Sequence, residues 1–211
     1  MPSVSSLTEE KLSKLRSMLS CAIGERRFSH TLGVEETIAD LGRMYLPDDI
    51  LRLRAAALLH DVTKEWSGDE QLSYCETNRI SVSEAELSAP RILHAKTGAF
   101  YAAEAYAAFA DETILTAIRR HTTGSEGMTV FDELLYLADY IEPTRSYPEC
   151  RQLRRSFYEG YESAEDKLCF LHTAVREALY ATLEEIGRRG GSVCPDTLYA
   201  IDYLSGLISA K

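Results

Sequence analysis

The run Ala57-Leu58-Leu59-His60-Asp61-Val62-Thr63-Lys64, "ALLHDVTK", closes an apolar segment with two side chains that can ligate a metal, followed three residues later by a lysine. Its spacing predicts a helix from about residue 49 to 62 that buries the residues up to Leu59 and delivers His60 and Asp61 at its end. Taken alone, the doublet reads equally as a ligand pair or as a histidine with an acidic neighbour at a helix terminus.

Outward from this run the periodicity stays helical. Ser6 with Glu9 forms a capping-box pattern, Leu12, Leu15, Leu19 and Ile23 make one stripe, and Gly24 stops it. A second helix carries Val34, Ile38, Leu41 and Tyr45 and ends near Pro47; a short fourth begins after Ser67, where Glu70 completes another box. Beyond a loop near Pro90, the residues Gly98, Ala102, Ala105 and Phe109 mark a small-residue helix, and Ile114 with Ile118 marks the next. Leu134, Leu135, Ala138 and Ile141 form a buried helix that stops before Pro143, because proline pushes its predecessor out of the helical region. A long helix over about 164–188, a Gly190-Gly191 break and a terminal helix entered at Pro195 complete the chain. No alternating strand pattern occurs, so the expected class is all-α, a compact helical bundle.

The 211 residues fit one sizeable core, and no stretch of linker composition interrupts them, so a single domain over 1–211 is expected. With 33 Asp+Glu against 23 Lys+Arg, the net charge of -10 argues against a nucleic-acid binder, which needs a basic face. A small phosphorylated molecule stays compatible, since a metal ion with a few basic side chains makes a locally positive pocket. The five cysteines lie far apart without a C-x-x-C pair, which reads as reduced thiols. There is neither a secretory apolar region nor a run of about 18 apolar residues, so a cytoplasmic protein without a membrane partner is expected.

Placed on their helices, His30 leads Val34 and Ile38 by one turn, His94 leads Gly98 and Ala102, and His121 continues Ile114 and Ile118. These imidazoles point to the core side, as does His172 in line with Leu168, Val175 and Leu179. Any one of them, taken alone, reads more readily as a hydrogen-bonded core residue than as a ligand. Asp139 follows Leu135 by one turn on an aliphatic helix, with no lysine or arginine within a turn of it, and a buried carboxylate needs a cation. His30, His60, Asp61 and Asp139 therefore form a candidate four-ligand set from three helices. Neutral imidazoles with carboxylates suit divalent iron, manganese, zinc or cobalt rather than a soft-metal thiolate site.

Basic and hydroxyl groups sit beside the same positions: Lys64, then Arg119, Arg120, Thr122 and Thr123 around His121, and Arg145 after the Pro143 break. They are the donors phosphate oxygens require, or else solvated charges at helix ends. A metal with imidazoles and phosphate donors points to hydrolysis, while the absence of a Walker loop argues against ATP-driven chemistry.

The series "RFSHTLGV", "ALLHDVTK", "ILHAKTGA", "AIRRHTTGSEGMT" and "LADYIEPTR", in this order, resembles the HD-domain superfamily of metal-dependent phosphohydrolases. Within it, "HTTG", "GM" and "LADYIEP" are similar to the YqeK-like group, the symmetrical bis(5'-nucleosyl)-tetraphosphatases. The matched region is about 26–155, leaving the C-terminal helices over 164–209 to pack on this core. The resemblance implies an HD-domain bundle with metal ligands at His30, His60, Asp61 and Asp139 and an iron-type centre. It further implies that His94 and His121 contact substrate phosphates or a second metal, and that Lys64, Arg145 and Thr123 contact nucleotide phosphates. Asp61, Lys64, His94 and His121 would then carry catalysis. The implied reaction is hydrolysis of diadenosine tetraphosphate between its central phosphates, giving two ADP.

Two departures stand out. Thr144 occupies a position where the group tends to have glycine, which puts the turn presenting Arg145 in question. The ending "SVCPDTLYAIDYL" also differs from the group's usual His-Pro and later Asn. The alternatives are an HD hydrolase of another nucleotide (a mono- or triphosphate or an alarmone) and a non-catalytic metal-bound nucleotide sensor. A homodimer is left open.

Overall fold

Residues 7–210 are described by a computed structural model, and among them every regular element is helical. The Ser6 side of the first capping box lies outside the described residues; α1 (Glu9–Ala22) is capped instead by Thr8, whose hydroxyl accepts from the Lys11 amide at 3.2 Å. Next come α2 (Glu25–Tyr45) and, after a tight turn at Pro47–Asp49, α3 (Ile50–Leu59). The latter ends three residues before the expected 62. His60 Nδ1 donates to the Ala57 carbonyl at 2.6 Å, an acceptor that a continuing helix would give to the Asp61 amide, and the chain proceeds through tight turns such as Lys64 N to Asp61 O.

The Ser67–Glu70 capping box opens α4 (Gly68–Thr77) as expected. A short α5 (Glu84–Ser88) was not anticipated, since five residues are too few to show a period. A tight turn at Pro90–Leu93 leads into α6 (His94–Ala105), which stops short of Phe109. Then follow α7 (Glu112–Arg120), capped by Asp111, and α8 (Val130–Ile141), opened by a Thr129–Asp132 capping box. The sequence reading also lacked α9 (Pro148–Tyr161), whose apolar stripe of Cys150, Leu153 and Phe157 is diluted by arginines and acids. α10 (Lys167–Arg188) and α11 (Pro195–Ser209) close the chain.

The central layer is α2 against α3, with α8 crossing α2 and α7 lying on α3; α6 pairs with α7, and α10 packs on α8, α9 and α11. Leu58, Leu59, Ile118, Leu134, Leu135 and Ile141 meet in one apolar core. Its upper edge is where α2, α3, α6, α7 and α8 bring their histidines and aspartates together. Burying these helix faces is what holds the polar cluster in place, because the core side chains interdigitate too closely to let one helix slide.

The short α5 depends on one carboxylate. Glu86 accepts from the Ser83 amide, the Ser83 hydroxyl and Lys96 Nζ, each at 2.8 Å. Burial pushes this carboxyl up, but Lys96 and the Ser83 donors outweigh it and hold it below the ordinary glutamate value of 4.5. A depressed folded-state value means stability that is present above the unfolded value and lost as pH falls through the folded one. Glu86→Gln is therefore expected to cost about 1.5 kcal/mol at pH 7 in urea unfolding. The difference from the wild type should close once the pH is taken well below 4.5.

Candidate metal centre

Four imidazoles converge with the same orientation. His60 Nδ1 donates to Ala57 O at 2.6 Å, His94 Nδ1 to Arg91 O at 2.6 Å and His121 Nδ1 to Ile118 O at 2.7 Å. Each uses the carbonyl three residues earlier. His30 Nδ1 lies 3.1 Å from Glu142 Oε1. Carbonyls and carboxylates only accept, so every Nδ1 carries its proton and every Nε2 faces the interior.

Asp61 lies among these nitrogens. Its Oδ1 is 3.3 Å from His94 Nε2 and 3.5 Å from His121 Nε2, and its Oδ2 is 3.4 Å from His60 Nε2 and 3.7 Å from His30 Nε2. Asp139 Oδ1 is 3.0 Å from His30 Nε2 and 3.9 Å from His60 Nε2. The donor atoms of His30, His60 and Asp139 fall within 4.8 Å of one another, as do those of His60, Asp61 and His121.

Whether these side chains fit a divalent ion is tested by what the protein leaves unsatisfied. His30 Nε2, His60 Nε2 and Asp61 Oδ1 are buried without a hydrogen-bond partner. Such atoms are rare, and three in one cluster are explained by a cation that all of them face. His94 Nε2 and His121 Nε2 stand 3.1 Å apart, and the Thr122 hydroxyl, 2.9 and 3.1 Å from them, has one proton to give. The all N and O donor set suits a borderline divalent ion.

Electrostatics agree with this assignment. Burial pushes the Asp61 carboxyl up, yet His60 and Lys64 hold it well below the carboxylate range; burial is likewise overcome at Asp139, chiefly by Arg145. Burial and then Lys64 push His94 down to about 4, and burial lowers His121. Both are neutral acceptors at neutral pH. His30 differs: burial pulls it down, but Asp139 and Glu142 raise it to about 9, so a proton and a metal compete for its Nε2.

One premise of the sequence reading needs correction. Asp139 does have a basic partner: Arg145, six residues on and past the Pro143 turn, donates to its Oδ1 at 2.5 Å and to its carbonyl at 3.0 Å. The charge on Asp139 therefore does not by itself demand a metal; the unpartnered atoms carry that case. Lys64 reaches the cluster, with Nζ 2.9 Å from His94 Nε2. Thr123 does not, since its hydroxyl donates to Gly124 O at 3.0 Å, and the adjacent Thr122 takes the place expected for it. Arg119 pairs with Glu112 and Arg120 with Asp132, away from the cluster.

The sequence reading missed Arg27 and Glu142. Arg27 donates to Asp61 Oδ2 at 2.5 Å; its signal was a cation in the first turn of a helix, where the dipole disfavours it, three residues before His30. Glu142, the residue that caps the end of α8, continues the line Leu135, Ala138, a buried-face position holding an acid.

Two clefts open beside the cluster. One, of about 350 Å³, is lined by Lys64, His121, Thr122, Asp139 and Arg145 and also by Tyr136, Tyr140 and Ile186. The other, of about 750 Å³, is lined by Arg26, Arg27, His30, Glu142, Arg145 and Tyr147.

His172 lies elsewhere, with Nδ1 2.8 Å from Glu133 Oε2. His172→Ala should keep metal content and turnover. It should cost about 1–3 kcal/mol in chemical denaturation, because Glu133, whose other oxygen already lacks a partner, loses its donor.

The family model described as HD domain matches residues 27–144. A protein of Halalkalibacterium halodurans named bis(5'-nucleosyl)-tetraphosphatase, symmetrical, is 32% identical over 180 residues, covering 85% of this chain and 89% of its own. A Bacillus subtilis protein of the same name is 30% identical over 196 residues, covering 93% and 96%. Among solved structures, one titled a predicted HD superfamily hydrolase involved in NAD metabolism, from Clostridium acetobutylicum, superposes with a TM-score of 0.81 at 29% identity. That match covers 98% of this chain and 100% of the other.

Proposed function

The chain belongs to the HD-domain family, and from that premise we propose that it is a metal-dependent phosphoanhydride hydrolase that cleaves diadenosine tetraphosphate symmetrically into two ADP. The observation that carries this reading is the convergence of Nδ1-anchored imidazoles on Asp61 and Asp139, with three buried donor atoms unsatisfied, beside clefts lined with Lys and Arg. Its substrate choice is supported by the names of the relatives, which span most of the chain.

His30, His60, Asp61 and Asp139 would hold the divalent ion. When bound there, the ion supplies Lewis acidity to a phosphoryl oxygen and acidifies water. Lys64 and Arg145 neutralise charge on the tetraphosphate chain, Lys64 from the His94 side and Arg145 from the ridge shared by both clefts. His94 Nε2, which burial and Lys64 push down to about 4, is too weak a base to take a proton from ordinary water and would accept one only from water acidified by the ion. A bond forms between the water oxygen and one central phosphorus, that phosphorus's own bond to the bridging oxygen breaks, the bridging oxygen leaves on the second ADP, and one water is consumed for two ADP released. The aromatic wall of Tyr136 and Tyr140 suits a nucleoside on that side.

Iron is the resident ion in this reading, with manganese, cobalt and zinc compatible with the same donors. We place the enzyme in the cytoplasm, consistent with five free cysteines and with no helix among the described residues long and apolar enough to cross a membrane. The test is anaerobic turnover by chelator-stripped protein given Fe(II) or Mn(II). Diadenosine tetraphosphate should be hydrolysed in preference to nucleoside mono- and triphosphates and alarmones. No turnover of it with any divalent ion would overturn the reading.

A further inference from the structure

We propose that Glu142 is a positioning residue, oriented by Thr144, that holds the His30 imidazole with its proton on Nδ1 and so presents the Nε2 lone pair to a divalent ion. It rests on the assignment of His30 as a ligand made above. His30 is the one histidine of the cluster in a helix interior, where the carbonyl three residues earlier is committed to the helix ladder. The other three borrow such a carbonyl at a helix end or in a turn. His30 needs an acceptor from outside its helix, and Glu142 supplies it.

Glu142 is built into that role. Its side chain is fully buried, and only donors surround its carboxylate. Oε1 accepts from His30 Nδ1 at 3.1 Å and from the Thr144 hydroxyl at 2.5 Å, and Oε2 accepts from the Thr144 amide at 2.6 Å. Arg154 fixes the turn beneath it, donating to the carbonyls of Ile141, Glu142 and Arg145. On the α2 side, Gly33 makes the room: a Cβ there would lie 2.6 Å from Glu142 Oε2. Thr144, at the position where the resembled group tends to have glycine, thus adds its hydroxyl as a second donor to the carboxylate.

This geometry makes the amide variant informative. In Glu142→Gln the Thr144 backbone N–H still demands an acceptor, so the amide oxygen takes the Oε2 position and the NH2 faces His30. That NH2 donates to Nδ1, which must then give up its proton, and Nε2 carries it instead. A protonated Nε2 cannot ligate. Volume is unchanged, so the fold should survive.

The experiment is zinc titration calorimetry, with nitrogen-15 spectra of the zinc-loaded protein. The wild type should show His30 protonated at Nδ1 and metal-bound at Nε2. Glu142→Gln should lose about 10–100-fold in zinc affinity and show His30 protonated at Nε2, with thermal stability held. Thr144→Val, which removes only the hydroxyl, should keep the Nδ1 proton and lose about threefold. Should Glu142→Gln not fold, Glu142→Asp, one methylene too short to reach His30, is expected to lose affinity likewise. Wild-type affinity and tautomer in these Glu142 variants would overturn the proposal. A wild-type protein that binds no divalent ion would instead overturn the metal centre itself.

Discussion

Asp61→Ala is expected to abolish metal binding and to lower kcat/KM for diadenosine tetraphosphate by at least about 10³-fold, or ~4 kcal/mol of transition-state stabilisation. The size follows from its place. Both carboxylate oxygens serve the cluster, one facing His94 and His121 and the other His60 and His30, and no neighbouring side chain substitutes for either. Removing it also leaves Arg27, its partner at 2.5 Å, without a counter-charge beside the nitrogens that would bind the ion. Metal content by elemental analysis and steady-state kinetics on the same folded sample check both halves. Retained metal would mean the centre is misplaced.

Lys64→Ala is expected to give the second largest effect, a fall in kcat of about 10²–10³-fold with metal content unchanged. Lys64 is no ligand; its Nζ sits 2.9 Å from His94 Nε2 and 4.0 Å from Asp61 Oδ1, at the mouth of the smaller cleft. Burial lowers its pKa against the pull of Asp61, which marks an ammonium poorly solvated by water and therefore effective on a phosphate oxygen. Loss of metal along with activity would assign Lys64 to holding the centre rather than to meeting the substrate.

How much of this was legible in the sequence depends on the kind of signal. Apolar periodicity located α1, α2, α7 and α8, because a buried helix face repeats often enough to read, while the Ser67–Glu70 capping box marked α4 and the Gly190-Gly191 break with Pro195 separated α10 from α11. It missed α5 for its shortness and α9 because arginines interrupt its stripe. The end of α3 was placed too late, since the stop comes from the His60 side chain competing for a backbone carbonyl, which no residue pattern records. Within the site, His30, His60, Asp61, His94, His121 and Asp139 were readable as polar residues on apolar faces, and the structure brings all six together. Arg27, Glu142 and the choice of Thr122 over Thr123 were not. These depend on which way a side chain turns across a helix interface or a Pro143 turn, and one residue of rotation separates a site threonine from a helix-end one.

The most direct measurement is hydrolysis of diadenosine tetraphosphate by the metal-loaded protein in oxygen-18 water, with products separated and weighed. Symmetrical attack predicts ADP as the sole product, with one labelled oxygen on the terminal phosphate of half the ADP molecules. AMP and ATP as products would contradict it.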